Sequence, residues 1–149
     1  HREAIAIRVM SFTFPANYGY CFAVLGSSFF MNSYLTINVI LARKKYNIQY
    51  PALYAPAGHK DEIAFNSVQR AHQNTLESCS MVMLQMMAAG LKYPKTSASF
   101  GAIYCIGRVI YGYGYSKGGP EGRMAGGLIS HLGDIPLVFT CLKVAYDLM

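Results

Sequence analysis

The chain carries no charged residue between Val9 and Ala42, and this uninterrupted run is its most restrictive sequence feature. The run exceeds the roughly 20 residues that a transmembrane helix needs. Pro15 and Asn17 are typical of the start of a helix, so we predict a first span near residues 18–42, closed by the cations at 43–45. The run is too long for the apolar core of a signal peptide, and no small-residue cleavage site follows it. It therefore predicts an integral membrane protein.

Three further apolar segments follow the first, at residues 62–91, 96–115 and 124–148. A loop with prolines and a glycine precedes the second segment, and a glycine-rich link, residues 117–122, separates the last two. Of the 149 residues, 53% are hydrophobic and only 13% are charged, whereas a soluble domain has about 25% charged residues. This composition excludes an ordinary cytosolic enzyme and a disordered chain.

Four segments of near-spanning length with short polar links predict an all-α fold, a four-helix transmembrane bundle over residues 18–149. An N-terminal extension, residues 1–17, precedes it. The net charge of +6 fits lipid headgroups, because the basic residues mainly flank the apolar segments. They form no cluster interleaved with aromatic residues on a polar face, so we expect no nucleic-acid partner. The cysteines form neither a CxxC nor a Cys/His ligand spacing, so we expect buried thiols and no metal site.

The second segment carries charged side chains that are expensive to place in lipid. Arg70, Asn74 and Glu77 follow the spacing i, i+4, i+7, which puts them on one face of a helix. Arg70 and Glu77 lie two turns apart, and Asn74 lies between them. Two interpretations stay open: a binding site for a polar ligand, or a packing network that holds the bundle together.

The third segment has a matching stripe at i, i+4, i+7 and i+11, formed by Tyr104, Arg108, Tyr111 and Tyr115. Tyrosines near helix ends often belong to interfacial belts, but an arginine within the stripe favours a polar pocket between two helices. We predict that Arg108 pairs with Asp134 of the fourth segment, because charges buried in lipid usually find partners.

The residues of the second segment resemble a known signature. The run Arg-Ala-His-Gln-Asn-Thr-Leu-Glu at 70–77 is similar to the second-helix signature of the MAPEG family, membrane-associated proteins in eicosanoid and glutathione metabolism. The nearest branch is the type-3 microsomal glutathione S-transferases. Pro-Ala-Asn-Tyr-Gly-Tyr at 15–20, Ala-Arg-Lys-Lys-Tyr at 42–46 and Gly-Arg-Val-Ile-Tyr-Gly-Tyr-Gly-Tyr at 107–115 extend the resemblance, which covers residues 12–130.

The resemblance implies a homotrimer of four-helix subunits with glutathione, the co-substrate, bound in a bent form between neighbouring subunits. It implies that Arg43 comes from the neighbouring subunit to a glutathione carboxylate, and that Arg123, at the start of the fourth helix, stabilises the glutathione thiolate. Without the family, Arg123 fits equally well as a positive residue flanking a span. The family's glutathione-binding positions match Arg43, Arg70, His72, Asn74, Glu77, Tyr111 and Tyr115.

The activity implied is glutathione transfer to lipophilic electrophiles, or glutathione-dependent reduction of lipid hydroperoxides, in the endoplasmic reticulum or a mitochondrial membrane. The apolar substrate is expected to arrive from the bilayer. Some residues depart from the family pattern: the segment at 78–83, and His131, Asp134 and Pro136 in the fourth helix. These departures leave an alternative, a catalytically idle subunit of a larger membrane assembly, for example a respiratory one.

Overall fold

The computed structural model describes residues 13–149 and confirms the all-α four-helix architecture. The helices are α1 (Gly19–Tyr46), α2 (Glu62–Gly90), α3 (Pro94–Gly122) and α4 (Met124–Leu148). Their lengths of 28, 29, 29 and 25 residues all exceed the roughly 20 that a membrane span requires. By length and composition, α1 and α4 meet the criteria for membrane-spanning helices. The predicted N-terminal extension, residues 1–17, lies largely outside the described residues.

The helix boundaries differ from the prediction at the ends of α1 and α3. α1 continues through the three cations at 43–45 and ends at Tyr46, because the next residue, Asn47, has a left-handed backbone (φ 56°) that stops the helix. The predicted link is where α3 breaks: Gly119 has a non-helical backbone (φ 63°, ψ −153°), and two helical stretches meet there at a kink. Glycine adopts this backbone conformation without the steric penalty of a side chain. The break that the glycine-rich link predicts therefore lies at Gly119.

α3 and α4 pack against each other through glycines along much of their length. A Cβ atom added to Gly107 would lie closer than 3.0 Å to the backbone of Ser130, and one added to Gly126 would lie equally close to that of Tyr111. Small residues let two helix backbones approach closely, which is how transmembrane helices commonly associate. These contacts fix the rotation of α3 relative to α4, and with it the direction of every side chain on α3.

The outer surface of the bundle is strongly apolar. Phe29 and Phe30 of α1 are 68% and 72% exposed, and Leu128, Leu132 and Phe139 of α4 are exposed to a similar degree. Apolar patches of this extent are rare on soluble monomers, and they match a surface in contact with lipid. The core contains Met86, Tyr104 and Leu137, and the four cysteines are free thiols.

Candidate functional site

The polar residues of α2 form one continuous face, as their spacing predicts. Arg70 Nη1 lies 3.9 Å from Glu77 Oε1, and the Nδ2 of Asn74 donates to Glu77 Oε2 at 3.4 Å. The side chains of Arg70 and Glu77 are 44% and 50% exposed. The pair is therefore loose and open at the surface of the subunit, so both charges remain accessible to a ligand.

Tyr54, in the loop before α2, is a site residue that the sequence did not reveal. Arg70 Nη1 donates to the Tyr54 hydroxyl at 3.4 Å, and that hydroxyl donates to Gln73 Oε1 at 2.5 Å. The loop is held over α2 because the amide of Ala55 donates to Asn66 Oδ1 at 2.9 Å. The loop has no periodic pattern, so nothing in its sequence indicates which helix face Tyr54 meets.

Arg108 joins the polar stripe of α3 to the polar face of α2. Only 5% of it is exposed, and its guanidinium donates to Asn74 Oδ1 at 2.9 Å and to Ser78 Oγ at 2.8 Å. The Ser78 hydroxyl is also 2.7 Å from the hydroxyl of Tyr104. The Arg108 bond fixes the orientation of the Asn74 amide, since Oδ1 accepts from Arg108 and Nδ2 is left to face Glu77. The predicted convergence of two polar faces is confirmed.

The predicted pair between Arg108 and Asp134 is wrong. Asp134 pairs instead with His131 of its own helix, with 3.1 Å between its carboxylate and Nδ1. The glycine contacts explain this outcome, because Gly107 is the residue that lies against α4. The next residue along a helix points about 100° away, and Arg108 is therefore directed toward α2.

The Arg108–Asn74 contact is expected to matter for stability even without a ligand. Asn74→Leu leaves the buried guanidinium one acceptor short, and we expect it to lower the free energy of unfolding by about 2 kcal/mol. Adding Arg108→Met is expected to recover most of this loss, because both polar partners are then gone. Unfolding titrations in mixed micelles measure both variants, with Ser80→Ala on the exposed face of α2 as control. Additive losses in the double variant would contradict the coupling.

The third-helix tyrosines and Arg123 extend the α2 face. Tyr111 and Tyr115 are buried, pack on Ala71 of α2, and have their rings edge to face with centroids 5.5 Å apart. Arg123, the residue between α3 and α4, lies with its guanidinium carbon 5.6 Å from the centroid of the Tyr115 ring. Tyr115 therefore places the exposed Arg123 guanidinium beside the residues that pack on α2.

His72 and Arg43 lie away from this face. His72 points toward α1, where its Nε2 is 3.2 Å from Thr36 Oγ1. Arg43 is buried at the end of α1, with Nη1 donating to the carbonyl of Ala52 at 2.8 Å and the Tyr50 ring 4.2 Å away. Its Nε has no acceptor among residues 13–149. One subunit therefore brings together Arg70, Asn74, Glu77, Tyr111, Tyr115 and Arg123, but not Arg43 or His72.

Fold and site together describe an integral membrane four-helix bundle with a polar face near the junction of α2, α3 and α4. The sequence profile of the MAPEG family matches residues 21–143, which covers nearly all of the four helices. The chain is also 34% identical over 109 residues to the uncharacterized protein sll1147 of Synechocystis sp. (strain ATCC 27184 / PCC 6803 / Kazusa). That match covers 72% of this chain and 74% of the cyanobacterial protein. The chain belongs to the MAPEG family, which includes glutathione transferases and related proteins.

Proposed function

We propose that this protein binds glutathione and uses it as the co-substrate of a membrane-bound transferase or peroxidase of the type-3 microsomal kind. The observation that carries the proposal is the exposed, loosely paired Arg70 and Glu77, with Asn74 held between them by Arg108. Glutathione has two carboxylates and one ammonium group, so a site for it needs cations and a carboxylate close together. This face provides both, together with an amide donor whose orientation is fixed.

The separation of the predicted binding residues supports a homotrimer. The Arg70 face lies on one side of the subunit, while His72 contacts Thr36 on the side toward α1. We propose that a neighbouring subunit brings its His72 and Arg43 to this face. Arg43 Nε is buried and has no acceptor among the described residues, and we propose that assembly of the oligomer brings a ligand carboxylate to it. Glutathione is then enclosed only in the assembled oligomer.

The chemistry that we propose is attack by the glutathione thiolate. A free thiol has a pKa of about 8.5, so only a few per cent is ionised at neutral pH. A cation beside the sulfur favours the thiolate, and we assign this role to Arg123, whose guanidinium is exposed next to Tyr115. The thiolate attacks an electrophilic carbon and forms a thioether, while a leaving group departs with its electron pair or a conjugated double bond accepts the pair and is then protonated. With a hydroperoxide, the thiolate attacks the outer oxygen and the O–O bond breaks, which gives an alcohol after protonation and glutathione sulfenic acid. A second glutathione then reduces the sulfenic acid to the disulfide and releases water. The apolar substrate comes from the bilayer.

The alternative function is a catalytically idle subunit of a larger membrane assembly. The observation that favours it is the His131–Asp134 pair, since His131 is exposed on the apolar outer face of α4, where a partner helix would cover it. Ser78 also departs from the family pattern, but it is weaker evidence for an idle subunit, because its hydroxyl is hydrogen-bonded to Arg108 and Tyr104 within the bundle.

A substitution at Arg123 distinguishes the two functions. If Arg123 stabilises the thiolate, Arg123→Ala raises the pKa of the bound glutathione thiol by at least one unit, which is about 1.4 kcal/mol. Turnover at neutral pH then falls by at least about tenfold and partly recovers as the pH is raised, because more thiolate forms. The ultraviolet absorbance of the thiolate, titrated on the purified protein with bound glutathione, measures the pKa directly.

Two control variants accompany this experiment. Arg123→Lys is expected to be intermediate, because an ammonium keeps the charge but loses the planar donor fork. Lys44→Ala removes an exposed cation at the end of α1 and is expected to change neither the pKa nor turnover. The result that would contradict the enzyme is glutathione that binds but shows no thiolate absorbance near neutral pH, with Arg123→Ala changing neither its binding nor its absorbance. That result would favour the idle subunit.

A further inference from the structure

An open cavity lies beside the Arg70 face and shares Tyr115 with it. It has a volume of about 760 Å³ and opens where α1 ends, α2 begins and α3 ends. Arg70, Asn74 and Glu77 do not line it, and of the predicted glutathione residues only Tyr115 does. Ligand pockets in proteins typically measure about 300–1,000 Å³, so the cavity is large enough for a headgroup with part of an acyl chain.

Three lysines from three separate elements surround this cavity: Lys45 at the end of α1, Lys60 in the loop and Lys117 near the end of α3. In the described part of the chain, no carboxylate lies within 4.0 Å of any of their ammonium groups. Asp61 and Glu62 also line the cavity, but Glu62 Oε2 accepts from the amide of Gly58 at 2.8 Å. The lining therefore carries a net formal charge of +1, from three lysines against Asp61 and Glu62, and none of the lysines is paired with a carboxylate in the described part of the chain.

The amino terminus of α2 faces the same cavity, because residues 59–64 form part of its wall. Asp61 is the N-cap residue, but its side chain makes no capping bond. The first amides of a helix point outward without intrahelical partners, and with the helix dipole they attract anions. The amide of Glu62 already donates to the carbonyl of His59 at 2.9 Å, but the amides of Ile63 and Ala64 make no hydrogen bond within the described residues. Beside three lysines, these two amides suit an anionic group.

The walls contain both polar and apolar side chains. Tyr115 is only 7% exposed, and its hydroxyl makes no hydrogen bond within the described residues. Leu41, Ile63 and Val68 form an apolar wall between α1 and α2.

We propose that this cavity binds a phosphate group, with the lysines and the α2 terminus as its ligands. The apolar wall favours the phosphate of a phospholipid over inorganic phosphate, and the two are compared directly in the test.

The test compares lysines that do and do not line the cavity. We expect dioleoyl phosphatidic acid in mixed micelles to bind the purified protein and raise its melting temperature, whereas dioleoyl phosphatidylcholine has little effect because its choline offsets the phosphate charge. The double variant Lys45→Gln/Lys117→Gln is expected to weaken phosphatidic acid binding by at least about tenfold. Lys44→Gln removes the same charge one residue away, outside the cavity, and is expected to bind normally.

The same melting-temperature measurement is made with inorganic phosphate in place of phosphatidic acid. If phosphatidic acid raises the melting temperature and inorganic phosphate does not, the site binds lipid phosphate. If millimolar phosphate raises it as well, the site accepts any phosphate. Both results support the proposal. Equal weakening by Lys44→Gln and the double variant overturns it, as does protection by neither phosphate source. Glutathione binding is measured in the same samples and is expected to be unchanged in the double variant. Displacement of phosphatidic acid by glutathione would instead assign this cavity to the glutathione site.

Discussion

Arg70→Ala is expected to weaken glutathione binding by at least about a hundredfold, so that calorimetry detects no binding at ordinary concentrations. Within the described residues the Arg70 guanidinium pairs with Glu77 and donates to Tyr54, and both contacts are long, at 3.9 and 3.4 Å. Its interaction with the bundle is therefore weak, and its charge is available for a ligand carboxylate. Truncating one partner of a desolvated charge pair costs about 2–5 kcal/mol, and about 2.7 kcal/mol corresponds to a hundredfold in affinity.

Glu77→Gln tests the opposite charge of the same face. It is expected to weaken binding to a similar extent, because the ligand ammonium loses its carboxylate while the side chain keeps its shape. Lys95→Ala removes an exposed cation in the first turn of α3 and is expected to leave the affinity unchanged. Particle size must be compared in all samples. Unchanged affinity in an intact oligomer would mean that Arg70 and Glu77 only brace the bundle.

Gly126→Ala is expected to produce the largest loss of stability among conservative single substitutions. The new Cβ would lie closer than 3.0 Å to the backbone nitrogen and Cα of Tyr111 and to the carbonyl carbon of Ile110. Backbone atoms inside a helix cannot move aside individually, so the two helices must separate. We expect a cost of about 3 kcal/mol, the upper part of the range for overpacking, and a displaced Tyr111 at the candidate site.

Gly26→Ala is the matched control, because Gly26 lies inside α1 with nothing within 4 Å of the added Cβ. It is expected to be neutral or slightly stabilising, since alanine favours a helix by about 1 kcal/mol over glycine. Thermal unfolding followed by circular dichroism in detergent compares the two variants. Equal melting temperatures would show that close contact between α3 and α4 does not limit stability.

The sequence alone determined the class of fold and much of the candidate site. Apolar runs of spanning length predict helices, because in lipid the backbone must satisfy its own hydrogen bonds. The helical period then places Arg70, Asn74 and Glu77 on one face without any knowledge of neighbouring helices. Both properties are local, and the structure reproduces both.

Only the tertiary structure decided which groups meet across helices. Hydropathy and the helical period place Arg108 inside the bundle. Whether its guanidinium contacts Asn74 or Asp134, however, depends on how α3 is rotated about its axis. Glycine contacts such as Gly107 against Ser130 set that rotation, and they turn Arg108 toward α2. Tyr54 likewise reaches Arg70 from a loop without any periodic pattern. The physical reason is that a side chain's direction along its own helix is fixed by local geometry, whereas its partner is fixed by packing between segments distant in the chain.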